Sequence, residues 1–156
     1  MRVNQLEQMK ITITSWEDVK FYYEELLERT INSAQELKDF ISDRANGDNY
    51  LSQDFAWRYI KQTCDTTNEE LKKSYESFID KVQAERSKTS DLLNKKIVES
   101  EFADQLDGAY YIFMRSAKRA IELFKEENIP LQQEIEKLTS QYSEVVSKMT
   151  IEHNGE

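Results

Sequence analysis

The stretch SWEDVKFYYEELLERTINSAQELKDFI, residues 15–41, decides the fold. Within it Trp16, Val19, Tyr23, Leu26, Thr30, Ala34, Leu37 and Ile41 recur at steps of three and four, the spacing that lines one face of an α-helix. Ser15 followed three residues later by Asp18 approximates a capping box, so the helix is expected to open there. Glu25 and Arg29 stand four apart in the favourable order on the outer side, a contribution of a few tenths of a kcal/mol. Asn46-Gly47-Asp48 is expected to end this first helix, because glycine tolerates the left-handed turn that a side chain resists.

The same alternation of dry stripe and wet face continues along the chain. A shorter helix is expected with Leu51, Phe55, Tyr59 and Ile60 inward, stopping near Cys64. Thr67 and Glu70 form a second capping box and open a third helix, whose stripe of Leu71, Tyr75, Phe78, Val82, Thr89, Leu93 and Ile97 makes it the longest expected element, interrupted by Arg86. Ser100 caps a short turn through Leu106, and Asp107-Gly108 breaks the chain before a helix over about 109–126 that buries Tyr110, Phe113, Met114, Ala117, Ile121 and Phe124. Asn128-Ile129-Pro130 separates that helix from the last, since proline lacks an amide donor and steers the preceding residue away from helix. Leu131, Ile135, Leu138, Tyr142, Val145 and Met149 supply the final stripe.

Composition agrees with long helices. The 156 residues include only three Gly and one Pro, with 33% charged and 38% hydrophobic side chains. A chain of this length buries roughly 70% of its unfolded surface, enough for one core. The expected fold is all-α, an elongated antiparallel bundle or stack of about five or six helices, forming one domain over 1–156 with an extended lead-in at 1–14 and a frayed tail at 150–156. The heptad-like spacing of the first and third helices equally suits a long helical-hairpin arm, and Lys10-Ile11-Thr12-Ile13-Thr14 suits either a short strand or an extended entry.

A formal charge of -9 sets the surface against phosphate backbones, so nucleic acid is not an expected partner. No run of about 18 apolar residues is available to span a bilayer, and Met1 to Glu7 lack the apolar core of a secretory signal. A cytoplasmic location follows as the expectation, in keeping with the lone Cys64.

Candidate chemistry is sparse. Cys64-Asp65-Thr66-Thr67-Asn68 crowds a thiol, a carboxylate and hydroxyls together, but turn and cap formation accounts for all of them. His153 is the single histidine, and the position four residues earlier is Met149, so the helical histidine pair that zinc needs does not exist. One histidine also fails the di-iron bundle, which requires two. In Asp43-Arg44-Ala45-Asn46-Gly47-Asp48 the oxygen donors miss the alternate positions of a calcium loop and the twelfth residue is Asp54, so a helix-to-helix turn is expected instead. The eight tyrosines fall on helical stripes and are expected to be core residues with their hydroxyls at the rim. No catalytic, cofactor-binding or metal-ligating residue is assigned.

Several segments together resemble a known family: Tyr59-Ile60-Lys61-Gln62-Thr63-Cys64-Asp65-Thr66-Thr67-Asn68, Leu93-Asn94-Lys95-Lys96, Ile121-Glu122-Leu123-Phe124, Glu127-Asn128-Ile129-Pro130-Leu131 and Met149-Thr150-Ile151-Glu152. In order and spacing they are similar to the amino-terminal helical lobe of bacterial oligoendopeptidase F-like enzymes, within the thimet-oligopeptidase family of zinc metallopeptidases. The resemblance implies a non-catalytic lobe that covers the substrate channel, while zinc and the His-Glu-x-x-His motif lie in a following lobe that hydrolyses short peptides. Without that motif the chain is expected not to be an enzyme on its own and to hold no cofactor. Its end after Gly155-Glu156, where the family continues, suggests a truncated form of a longer chain. The expected partner is the missing catalytic lobe or a second copy. The alternative is a stand-alone helical module that binds a peptide or protein; it would show a mostly polar surface, whereas the lobe would expose an apolar patch.

Overall fold

A computed structural model describes residues 11–150. Among the described residues there is no strand, and six α-helices carry the fold, two of them joined by a π turn into one rod. They are α1 (Glu17–Glu28), α2 (Ala34–Cys64), α3 (Glu69–Phe78), α4 (Ala84–Val98), α5 (Tyr111–Leu123) and α6 (Ile129–Ser147), with the π turn Ile79–Gln83 between α3 and α4. The all-α expectation holds.

Helix directions follow from the polar bonds between neighbours. Along α1 and its lead-in, Tyr50 Oη donates to the Ile11 carbonyl at 2.9 Å and Arg29 donates to Asp43 at 2.6 Å, so α1 and α2 run antiparallel. Arg58 donates to Ser74 Oγ at 2.8 Å, Arg86 to Ser52 Oγ at 2.9 Å and Arg44 to Asn94 at 2.7 Å, which sets α2 antiparallel to the α3–α4 rod. One core fills the space between them: Val19, Tyr23, Leu26, Leu37, Phe40, Leu51, Phe78, Val82, Leu93 and Ile97 belong to a single buried cluster. The stripes of the first and third expected helices thus lie in the body of a bundle and do not project as an arm.

The single helix expected from Ser15 to Gly47 is two helices, and the break lies elsewhere. Glu28 ends α1, and Lys96 Nζ reaches the carbonyls of Leu26, at 3.0 Å, and Leu27, the orphaned acceptors of a helix terminus. Ser33 Oγ then accepts from the Glu36 amide at 3.1 Å while Glu36 accepts from the Asn32 amide at 2.8 Å. This reciprocal cap is written in the sequence as Ser33-Ala34-Gln35-Glu36, a signal that the run of apolar residues across it concealed. Thr30, expected on the stripe, is exposed in the break.

Gly47 does not end a helix. It is buried in the middle of α2, where helices α1 and α2 approach closely, and the 31-residue α2 runs on to Cys64. The α3–π–α4 rod is made of 10, 5 and 15 residues, so α2, not the third expected helix, is the longest uninterrupted element. Leu51 is buried and Phe55 half-buried as expected, but Tyr59 and Ile60 are exposed.

Two expected caps are rearranged. Asp18 does reach back, accepting from the Thr14 and Ser15 amides at 2.7 and 2.9 Å, but its own amide donates to the Ser15 carbonyl at 3.4 Å. At α3 the cap is Asn68, whose side chain accepts from Glu70 and Leu71, while Thr67 donates its hydroxyl to Asp65 at 2.8 Å. Asparagine fills the role because its short amide bends back on its own helix start. The stripe from Tyr75 through Ile97 is buried as expected, whereas the helix expected over about 109–126 is the shorter α5, and of the six residues expected buried there only Ala117 is, Tyr110, Phe113, Met114, Ile121 and Phe124 being half-buried.

The π turn serves the packing. Its wider coil presents the Lys81 carbonyl to the Trp16 amide at 3.2 Å and the Ile79 carbonyl to Gln133 Nε2 at 3.0 Å. It therefore anchors the entry to α1 on one side and α6 on the other.

Candidate functional site

Helix α6 is docked inside out. Its polar face meets the bundle: Gln62 Nε2 donates to Ser140 Oγ at 2.7 Å, Lys72 Nζ meets Glu144 at 2.9 Å, Lys137 Nζ meets Asp80 at 2.7 Å, and Tyr75 Oη donates to Glu136 at 3.3 Å. The Lys72 and Lys148 ammonium groups hold Glu144 ionised, lowering its pKa from 4.5 to about 2, the hydrogen bond from Lys148 being the larger cause. Burial, with Glu136 adding its charge, pushes the Tyr75 hydroxyl well above the ordinary tyrosine range.

The opposite face is apolar and open to solvent. Leu131, Ile135, Leu138, Tyr142, Val145 and Met149, the stripe expected in the core, are 55–71% exposed. Sequence periodicity locates an apolar face but assigns it inward by default, because burying it is the usual source of stability. Here a second periodic set, Gln133, Lys137, Ser140 and Glu144, finds partners on α2, the π turn and α3, and the helix is oriented by those bonds. Tyr111, Ile112 and Leu123 on α5 and Trp57 on α2 add further exposed apolar side chains.

A cavity of about 380 Å³ lies between α4, α5 and the α5–α6 junction, lined by Arg86, Ser90, Asp91, Asn94, Phe124 and Gln132 among others. Asp91 is 5% exposed; one carboxylate oxygen meets Lys95 at 2.6 Å and the other has no hydrogen-bond partner. Beside it Arg44 is buried with its guanidinium shared among Asn94, Ser90 and Asp48. Desolvation lowers its pKa, a shift that a guanidinium tolerates without losing its proton.

Of the segments singled out in sequence, Cys64 to Asn68 falls where turn chemistry puts it. Cys64 is exposed at the end of α2, and Asp65 accepts from the Thr67 amide at 3.2 Å in a local turn. Asp43 and Asp48, read as part of a helix-to-helix turn, instead lie within α2 and pair with Arg29 and with Arg44 and Arg86. Tyr22, Tyr23 and Tyr75 are buried with their hydroxyls on Asp43, Asp48 and Glu136, whereas Tyr142 is 70% exposed. His153 lies outside the described residues.

Residues 6–124 match the family model of the Peptidase M3 N-terminal domain. The chain belongs to that family. It is thus an N-terminal lobe of the thimet-oligopeptidase type, as the sequence segments implied. Comparison with curated proteins and with solved structures gave no match. The matched span closes at Phe124, which caps α5, so it takes in α1 to α5 and ends before α6.

Zinc, which the resemblance implies for the full-length enzyme, finds no fitting donor set among the described residues. Among the described residues no group of three or more His, Cys, Asp or Glu side chains is placed to hold a metal ion.

Proposed function

We propose that this chain is the helical front lobe of a bacterial oligoendopeptidase-like enzyme, covering one side of a channel that admits short peptides, and that it contributes shape while another lobe breaks the bond. The family match over 6–124 carries the reading. The outward stripe of α6 supports it, because a lobe built to lie against further protein presents an apolar face that its own core leaves uncovered. A self-sufficient binding module would turn a mostly polar surface to solvent.

Complementation tests this. The chain is mixed with the zinc-binding lobe of a thimet-type peptidase that lacks its own helical lobe, and cleavage of a quenched fluorescent oligopeptide is followed. The chain alone, with or without zinc, is expected to cleave nothing, and the mixture is expected to cleave faster than the zinc lobe alone. Chelator-sensitive cleavage by the purified chain, or no stimulation in the mixture, overturns the proposal.

A further inference from the structure

The outward residues of α6 follow one another at steps of four, three, four and three, from Leu131 to Val145, and Met149, two residues past the end of the helix at Ser147, continues the spacing in sequence only. That is the 3.5-residue repeat of a coiled-coil seam, narrower than the face of a helix that merely covers a globular core. Within the helix Ile135 and Tyr142 take the first seam position of their heptads, and Leu131, Leu138 and Val145 the fourth. We infer that a second copy of this chain covers this seam, the two α6 helices lying antiparallel about a twofold axis.

Charge decides for a second copy and for its direction. The positions flanking the seam on one side are Glu134, Gln141 and Lys148, and on the other Gln132, Thr139 and Val146. In an antiparallel pair of these helices, Ile135 stacks on Val145 of the second copy and Tyr142 on Leu138. The same register brings Glu134 beside Lys148 of the second copy at both ends and sets Gln141 against its own counterpart on the axis. No like charges meet. A parallel pair forfeits both ion pairs, since Glu134 then faces Thr139. Lys148 is free to take part: its side chain is 58% exposed, and Glu144 at 2.6 Å occupies one of three ammonium donors.

Pre-ordering favours the pairing. A two-stranded coil of this length is marginal for free peptides, which must first become helical. Here Ser140, Lys137 and Glu144 already fix α6 on its lobe, so pairing immobilises little beyond the seam side chains themselves. The inference stands apart from the lobe reading. Both invoke the same face, so a catalytic lobe and a second copy exclude each other.

The test is sedimentation velocity on the full chain over a range of concentrations, with charge variants. The expected result is a reversible species of twice the 18.5 kDa chain mass. Leu138→Lys is expected to give a monomer with unchanged helicity, because Leu138 already faces water. Glu134→Lys and Lys148→Glu singly should weaken the dimer roughly tenfold by turning attraction into repulsion at both ends, and the double variant should restore it. A monomer at every concentration overturns the pairing and leaves the lobe reading intact. A dimer indifferent to Leu138→Lys, or single charge variants without rescue, also overturns it. Complementation that fails at concentrations where sedimentation shows the chain monomeric, and the face therefore uncovered, counts only against the lobe reading.

Discussion

The Cβ that Gly47 lacks would lie 2.5 Å from Tyr22 Cε1. Tyr22 cannot step aside freely, since its ring is buried and its hydroxyl is bonded to the Asp43 carbonyl one turn earlier on α2. The glycine is there for the approach of two helices, and the helix accepts its poor propensity in return. Alanine at this position gains about 1 kcal/mol of helix propensity but forces an overpacking cost of about 1–3 kcal/mol. Gly47→Ala is therefore expected to lower the thermal midpoint, and less so in a Tyr22→Ala background where the space is open. A raised midpoint in the otherwise native chain would show that the ring yields.

Phe78 sits where the rod meets α2. It is 1% exposed, stacks on Phe55 with ring centroids 5.4 Å apart, and lies under the Arg58 guanidinium at 5.2 Å. Arg58 in turn ties Asp54, Ser74 and the Ile13 carbonyl, so the ring supports the junction of lead-in, α2 and α3. Phe78→Ala is expected to cost about 3–5 kcal/mol in chemical denaturation. A loss below about 1 kcal/mol would place the load elsewhere in the core.

Acid should loosen α6. The Glu144 carboxyl is held at about 2 against an ordinary 4.5, by hydrogen bonds first from Lys148 and then from Lys72. A depressed folded value means that the stabilisation is complete above about 4.5 and is lost as pH falls from there towards 2. Carboxyl NMR titration should find the depressed value in the native chain and a higher one in Lys72→Met, which removes one of the two donors. An identical titration in both would show that the Lys72 bond does not form in solution.

Much of the fold was legible because it rests on local rules. The stripe from Tyr75 to Ile97 is buried, and the Asn128-Ile129-Pro130 boundary opens α6 with proline in its first turn. The break after Glu28 was equally present in Ser33 and Glu36 but was outweighed by an apolar spacing that happened to run across it. Gly47 misled for a different reason: the same residue ends a helix or admits a neighbour, and only the position of Tyr22 distinguishes them.

The sequence by itself determined that the chain is helical, where apolar faces recur, and which peptidase family it belongs to, because period, caps and ordered motifs are properties of neighbouring residues. Only the tertiary structure decided that α6 turns its polar side inward. Gln62, Lys72 and Asp80 are 57 to 78 residues from the groups they bond. Partners so distant leave no mark in the local pattern, yet their bonds set which side of the helix meets water.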